Sequence, residues 1–139
     1  MSLEDLVHRV ESRLLRLGRM FCPVDPLSAL YDALDRNEVQ LRKRRADLDV
    51  AEAERVSLQT RLDNRRAAAD LLTAQIEASW ASGHSDRTWR LALELDRMRQ
   101  EIAEDEKRLP SLSQLTWSLG FAVRQLERER ARLENRRTA

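Results

Sequence analysis

The sequence predicts an all-α protein, an elongated antiparallel helical hairpin of coiled-coil type that follows a short amphipathic N-terminal helix. Only 3 of the 139 residues are Gly and only 3 are Pro. Turns must therefore be few, because ordinary chains carry about 7% Gly and 5% Pro. Charged residues make up 35% of the chain and aromatic residues 4%, a composition that disfavours a thick core. Apolar residues also recur every three and four positions, which is the spacing of one helix face.

The charge balance excludes several classes of partner. Lys and Arg total 25 and Asp and Glu total 24, for a net charge of +1, which predicts opposite charges interleaved along helical faces. The basic cluster 42–45 lacks aromatic residues, so we expect no nucleic-acid binding.

The single Cys22 cannot form an intrachain disulfide, which favours a cytoplasmic location. No apolar run approaches the roughly 20 residues of a membrane-spanning helix.

Residues 1–22 form the first predicted unit, an amphipathic helix over about 2–20. Its arginines lie on the other side of the helix from its apolar residues. Such a helix could lie in an anionic lipid interface. Composition alone favours the alternative, in which it packs as a cap on one end of the hairpin. The apolar stripe consists of Leu3, Leu6, Val7, Val10, Leu14 and Leu17, and the basic residues are Arg9, Arg13, Arg16 and Arg19.

Residues 23–139 form the second predicted unit, whose first arm spans about 26–81. Pro23 ends the preceding helix, because proline lacks a backbone donor and restricts its predecessor. Asp25 and Pro26 then suit the N-cap and the first helical position. Two heptad rows follow and form a narrow seam that needs a partner helix. The rows are Leu34, Leu41, Leu48, Arg55, Leu62, Ala69 and Ile76, with the companions Leu30, Asn37, Arg44, Ala51, Leu58, Arg65 and Leu72.

A turn at 82–85 and a second arm at about 86–137 complete the predicted hairpin. Gly83 suits the left-handed position after a helix, and Ser85 or Asp86 can cap the next one. Because one register continues through Pro110, this proline predicts a kink within one arm. The register steps by four and three through Leu91, Leu95, Met98, Ile102, Asp105, Leu109, Leu112, Thr116, Leu119, Val123, Leu126, Arg130 and Leu133.

The predicted hairpin tip consists of Trp80, Gly83 and Trp89. The two tryptophans bracket the turn and could stack across it, which would fix the tip as a small aromatic lock. Alternatively, they could form an exposed contact for a neighbouring molecule or for lipid. The first interpretation is the simpler one.

No residue pattern indicates catalysis. His8, His84 and Cys22 do not have the spacing of a metal site, and three glycines cannot build a phosphate-binding loop. Carboxylates such as Asp105 and Glu106 are expected on solvent faces beside arginines, without a cleft that could separate their pKa values. We therefore expect no enzyme, no metal, no cofactor and no small-molecule substrate.

The arrangement resembles the phage-shock protein A and vesicle-inducing protein family, the bacterial branch of the ESCRT-III superfamily. In that family an Asp-Pro pair lies some two dozen residues into the chain, as Asp25-Pro26 does here. The family's second arm opens with a Gly-x-x-Asp-Leu-Ala-x-x-Ala-Leu-like stretch, and residues 83–93 are similar in position and character, although Asp86-Arg87-Thr88 replaces Asp-Leu-Ala. Family members continue through further helices, whereas this sequence stops at Ala139. This departure either argues against full filament assembly or marks a reduced or partial member.

The resemblance implies a peripheral membrane-remodelling protein at the inner face of the cell membrane. The N-terminal helix would insert into an anionic membrane surface, and the hairpins would stack side by side as a homo-oligomer. The alternative is a soluble coiled-coil adaptor or three-helix bundle that binds protein partners. The apolar stripe distinguishes the two, because it would be free in the first case and packed in the second.

Overall fold

A computed structural model of the chain describes residues 2–21 and 25–138, without the side chains of residue 12 and residues 14–21. These residues form three helices: α1 (Leu3–Phe21), α2 (Pro26–Ala81) and α3 (Ser85–Thr138), with no strand among them. The all-α class is thereby confirmed, with two long helices that pack together. Cys22 and Pro23 lie outside the described residues, as do the side chains of Leu14, Arg16, Leu17 and Arg19.

Side-chain caps define where α1 and α2 begin. The Ser2 hydroxyl accepts a hydrogen bond from the backbone N–H of Asp5 at 3.3 Å. The Asp25 carboxylate accepts one from the N–H of Leu27 at 3.1 Å, and Pro26 is the first residue of α2. Both caps satisfy donors that a helix leaves unpaired in its first turn.

The connection between α2 and α3 is a tight glycine turn. Gly83 has a φ of 76°, and its N–H donates to the carbonyl of Trp80 while the N–H of His84 donates to the carbonyl of Ser79, both at 3.1 Å. This is the bond pattern of a Schellman C-cap, in which glycine adopts the left-handed conformation without a Cβ clash. Helix α3 begins at Ser85, so Ser85 belongs to its first turn instead of capping it. The His84 carbonyl accepts the first helical bond, from the Thr88 N–H.

The chain divides into two compact units. Unit 1 comprises Met1–Arg42 and Gln125–Ala139. In it, the Asn37 side-chain amide donates to the Leu126 carbonyl at 3.0 Å, and Glu38 pairs with Arg130 at 3.6 Å. The Arg137 guanidinium lies 5.6 Å from the centre of the Tyr31 ring. The order of these contacts shows that the two helical segments of unit 1 run antiparallel.

Unit 2 comprises Lys43–Arg124 and shows the same antiparallel order. Arg61 pairs with Asp105 at 2.8 Å, and Arg65, one turn later in α2, reaches Glu101, one turn earlier in α3, at 3.5 Å. Arg66 also pairs with Glu106 at 3.0 Å. Helix α3 contains Pro110, and helical residues precede and follow it.

Burial follows the heptad rows. Every residue of the first row of α2 is buried or half-buried, and so is every residue of the companion row except Arg44, which is exposed. Leu41 and Leu62 are the largest fully buried side chains among the described residues. All thirteen register positions of α3, from Leu91 to Leu133, are buried or half-buried. We call these rows of α2 and α3 the seam.

Candidate functional site

The apolar stripe of α1 is open to solvent. Leu3, Leu6, Val7 and Val10 are between 48% and 81% exposed. At 100° per residue these four side chains fall on one side of the helix. Leu14 and Leu17 belong to the same stripe by sequence position, and their side chains lie outside the described residues. The structure therefore presents the first part of the stripe as an uncovered apolar face.

Charge is distributed unequally beside this stripe. On the same helical geometry, Arg9 and Arg13 follow one edge of the stripe, whereas Glu4 and Glu11 lie toward the other. All four residues are exposed. By sequence position Arg16 lies near Arg9 around the helix and Arg19 lies opposite the stripe, and the side chains of both lie outside the described residues. Glu4 also lies in the first turn of α1, where a negative charge complements the helix dipole. The arrangement suits a surface that offers both anionic groups and an apolar layer.

An ionic cluster lies inside the seam of unit 2, where the sequence had not predicted one. Asp105 is only 3% exposed, so its expected place on a solvent face was wrong. Its carboxylate accepts hydrogen bonds from Arg61 at 2.8 and 3.3 Å and from Arg65. Glu106, the next residue, is exposed and pairs with Arg66. The seam register, and not the charge of the side chain, decides the position of Asp105.

The cluster keeps Asp105 ionised. The hydrogen bonds from Arg61 lower the pKa of Asp105 below its ordinary value, and the hydrogen bond from Arg65 lowers this pKa further, against the opposing effect of burial. The same bond to Asp105 raises the pKa of Arg61. A general acid or base works best when its pKa lies near the working pH, and here the shifts move both groups away from neutrality. The chemistry of this cluster is that of a structural ion pair.

The tryptophans of the predicted tip lie at the protein surface. Trp80 and Trp89 are 72% and 67% exposed. Among the described aromatic residues, the stacked ring pair is Trp117 and Phe121, with centroids 5.8 Å apart and an angle of 14° between the planes. This geometry favours the contact-surface interpretation of the tip over the aromatic lock. Sequence reasoning missed the Trp117–Phe121 pair, although the spacing of four residues could have indicated it.

The described residues form neither a metal site nor a membrane-spanning helix. No group of three His, Cys, Asp or Glu side chains in 2–21 and 25–138 could hold a metal ion. His8 lies on α1 and His84 in the turn. Within the same residues, none of the helices combines the length and the apolar character needed to cross a bilayer.

Comparison with known proteins adds no relative. No protein-family model, no curated protein and no solved structure matches this sequence. The resemblance to the phage-shock protein A family therefore rests on the order of a short amphipathic helix, a long first arm and a turn, together with Asp25-Pro26 and residues 83–93.

Proposed function

We propose that this chain is a peripheral membrane-binding, self-assembling protein of ESCRT-III-like kind that remodels or maintains a membrane. Helix α1 enters the lipid, and the site of action is the inner face of the cell membrane. The observation that carries the proposal is the exposure of Leu3, Leu6, Val7 and Val10. The adaptor alternative expects these side chains to be packed against protein.

The energetics of α1 are compatible with reversible membrane binding. Each apolar side chain of this size contributes about 1.5–3 kcal/mol when it is fully buried, before the entropy of ordering the helix is subtracted. Each arginine near an anionic surface adds about 1 kcal/mol, and Glu4, Asp5 and Glu11 oppose that attraction. We therefore expect moderate affinity that weakens as salt is added, because salt screens exposed charges.

The rest of the molecule has a mechanical part in this proposal. Helices α2 and α3 form an elongated antiparallel hairpin of coiled-coil type, with Trp80, Gly83 and Trp89 at its tip. The hairpin carries α1 and supplies surfaces for other copies of the chain. Binding energy performs the work, so the proposal includes no catalytic residue, no cofactor and no small-molecule partner. The Asp105 cluster has a structural role in it.

The decisive experiment places charge in the apolar stripe. Leu6→Asp combined with Val10→Asp should lower co-sedimentation with vesicles of equal parts phosphatidylglycerol and phosphatidylcholine at least tenfold. The far-ultraviolet circular dichroism should change little, since both side chains are exposed. Leu27→Asp combined with Val39→Asp is the matched control, because both residues are exposed on α2 and the change in charge is the same. The control should bind vesicles like the parent protein.

Two results would favour the adaptor instead. One is a parent protein that does not sediment with anionic vesicles. The other is a stripe variant that melts several degrees below the control variant, which would show that α1 packs against protein and stabilises it.

A further inference from the structure

The tip of the hairpin combines two exposed tryptophans with a stretch of chain that carries no charge. Trp80 and Trp89 are each more than two-thirds exposed, and each ring is a large apolar group. Residues 78–85 contain no Asp, Glu, Lys or Arg, although 35% of the chain is charged. The tip is therefore an apolar end on a hairpin whose surface is otherwise rich in charge.

Both tryptophans lie toward the same side of unit 2. The ion pair between Arg66 and Glu106 joins α2 and α3 on one side of the seam. Trp80 follows Arg66 by two heptads. Trp89 lies one turn before Ala92, and Ala92 precedes Glu106 by two heptads. Positions two heptads apart keep the same side of a seam, so the two indole rings lie at one common surface.

The polar groups of the turn are paired with one another. Three carbonyls near the end of α2 accept hydrogen bonds from backbone N–H groups of the turn. The Ser82 hydroxyl donates to the Ala78 carbonyl at 2.9 Å, and the Thr88 hydroxyl lies 2.8 Å from the His84 carbonyl and 2.9 Å from the hydroxyl of the buried Ser79. An apolar environment penalises polar groups without partners. The turn can therefore leave bulk water with these groups satisfied.

We propose that the tip is a second membrane-inserting site, at which Trp80 and Trp89 enter the interface of an anionic bilayer. Tryptophan is enriched where membranes meet water, because its ring is apolar and its indole N–H is polar. This inference rests on the proposed function in one respect, that the protein acts at a membrane. It adds a contact in unit 2, whereas α1 belongs to unit 1.

The charges beside the tip favour an anionic surface and limit the depth of entry. Arg87 and Arg90 are exposed near the start of α3, and Asp86 opposes their attraction to anionic headgroups. The next acids are Glu77, roughly 6 Å before the end of α2, and Glu94, roughly 14 Å after the start of α3. An interfacial segment enters a bilayer by about 5–10 Å. The uncharged end therefore inserts, and the charged length of the hairpin stays outside.

A bilayer suits the tip better than a protein partner does, because the end of the hairpin is small. Two packed helices, each about 10 Å across, offer an end surface of roughly 200 Å². A stable protein interface buries about 800 Å² on each partner. A bilayer sets no such minimum, since each apolar side chain that it buries contributes separately.

The three tryptophans of the chain allow insertion to be measured at two places. Trp117→Phe leaves Trp80 and Trp89 as the tip reporter. Trp80→Phe with Trp89→Phe leaves Trp117, which is 66% exposed on the same helix as Trp89. Both proteins are bound to vesicles of equal parts phosphatidylglycerol and phosphatidylcholine whose acyl chains carry bromine, which quenches indole emission on contact. The tip reporter should lose most of its emission and shift to shorter wavelength, whereas the Trp117 reporter should change little.

The contribution of the tip to affinity is tested by Trp80→Gln combined with Trp89→Gln. Co-sedimentation with the same vesicles should weaken about tenfold, and the far-ultraviolet circular dichroism should change little, since both side chains are exposed. Trp117→Gln is the matched control and should bind vesicles like the parent protein.

The outcomes separate this inference from the proposed function. A tip reporter that keeps its emission in vesicle-bound protein overturns the inference and leaves the role of α1 intact. A quenched tip reporter, together with a stripe variant that sediments like the parent, supports the tip and contradicts the role of α1. A parent that does not sediment with vesicles overturns both. The inference also fails if Trp117→Gln weakens binding as much as the tip variant, or if the tip variant lowers the molar mass in sedimentation velocity without lipid, which would make the tip a contact between copies.

Discussion

The apolar stripe of α1 and the seam of α2 and α3 have the same kind of sequence pattern and opposite surroundings. The stripe contains six apolar residues without a polar interruption, yet its described side chains are exposed. The seam includes Asn37 and Asp105, and it is nevertheless buried. The stripe of α1, which has the more uniformly apolar pattern, is therefore the region whose described side chains are exposed. Periodicity identifies a helix face, whereas a partner of matching length and chemistry decides whether that face is covered.

The polar residues of the seam explain part of this difference. Asp105 requires the arginines at positions 61 and 65, and Asn37 bonds the Leu126 carbonyl. The Asp105 carboxylate and the side-chain N–H group of Asn37 find these partners in one alignment of the helices and lose them in others, so they favour a single register. A lipid bilayer has no fixed residue positions with which a helix could be aligned. A stripe that meets lipid needs apolar area and basic residues beside it, which is the composition of α1.

Truncating one leucine in the seam and one in the stripe of α1 should give the largest difference in the free energy of unfolding between the two regions. Leu62 is fully buried in the seam, so Leu62→Ala should lower the free energy of unfolding by about 2–5 kcal/mol. Leu6 is half exposed on α1, so Leu6→Ala should change it by less than about 0.5 kcal/mol. Urea denaturation followed by circular dichroism measures both. Equal losses would mean that the stripe of α1 is packed as tightly as the seam.

Much of the seam could be predicted from sequence because burial at a heptad position depends mainly on register. All thirteen α3 positions and thirteen of the fourteen α2 positions are at least half-buried. Arg44 is the exception, and it pairs with Asp47 one turn later at 4.0 Å. A long side chain at the edge of a seam can turn toward solvent, and sequence alone does not show which arginines do so.

The candidate sites could be predicted less well. Asp105 was expected on a solvent face because of its charge, although it occupies a seam position, and two arginines across the seam compensate its burial. Pairing across forty residues depends on the register of two helices, which local patterns do not contain. The α1 stripe was recognised as a face, but its exposure was not predictable, because periodicity does not identify the partner.

The second prediction concerns the contribution of Asp105 to the stability of the fold and its dependence on pH. Its pKa is lowered in the folded state, so its contribution to stability is fully present above the unfolded pKa of about 3.9. That contribution is lost as the pH falls through the lower, folded value. Asp105→Asn should therefore lower the melting temperature by roughly 5 °C at pH 7, and the gap to the parent should narrow toward pH 3.

Glu106→Gln is the control for this measurement. Its partner Arg66 is also exposed, and exposed ion pairs contribute little, so the melting temperature should stay within about 2 °C of the parent. Thermal melts at pH 7, 5 and 3 decide the matter. A gap between Asp105→Asn and the parent that stays constant from pH 7 to pH 3 would contradict the role of the ionised carboxylate.

The smallest expected effect comes from making the seam more like the stripe. Asn37 is buried, and its side-chain oxygen has no hydrogen-bond partner, so the site carries an unpaired polar atom. Asn37→Leu removes that atom and should raise the free energy of unfolding by about 1 kcal/mol. The gain in stability should come with a loss of specificity, because a polar residue at a seam position restricts register and oligomeric state. Urea denaturation and sedimentation velocity together test both parts.

Asn37→Ala serves as the control, because it removes the amide without supplying apolar volume and should not stabilise the protein. If Asn37→Leu lowers stability, the single bond to the Leu126 carbonyl outweighs the unpaired oxygen, and Asn37 stabilises the seam as well as aligning it.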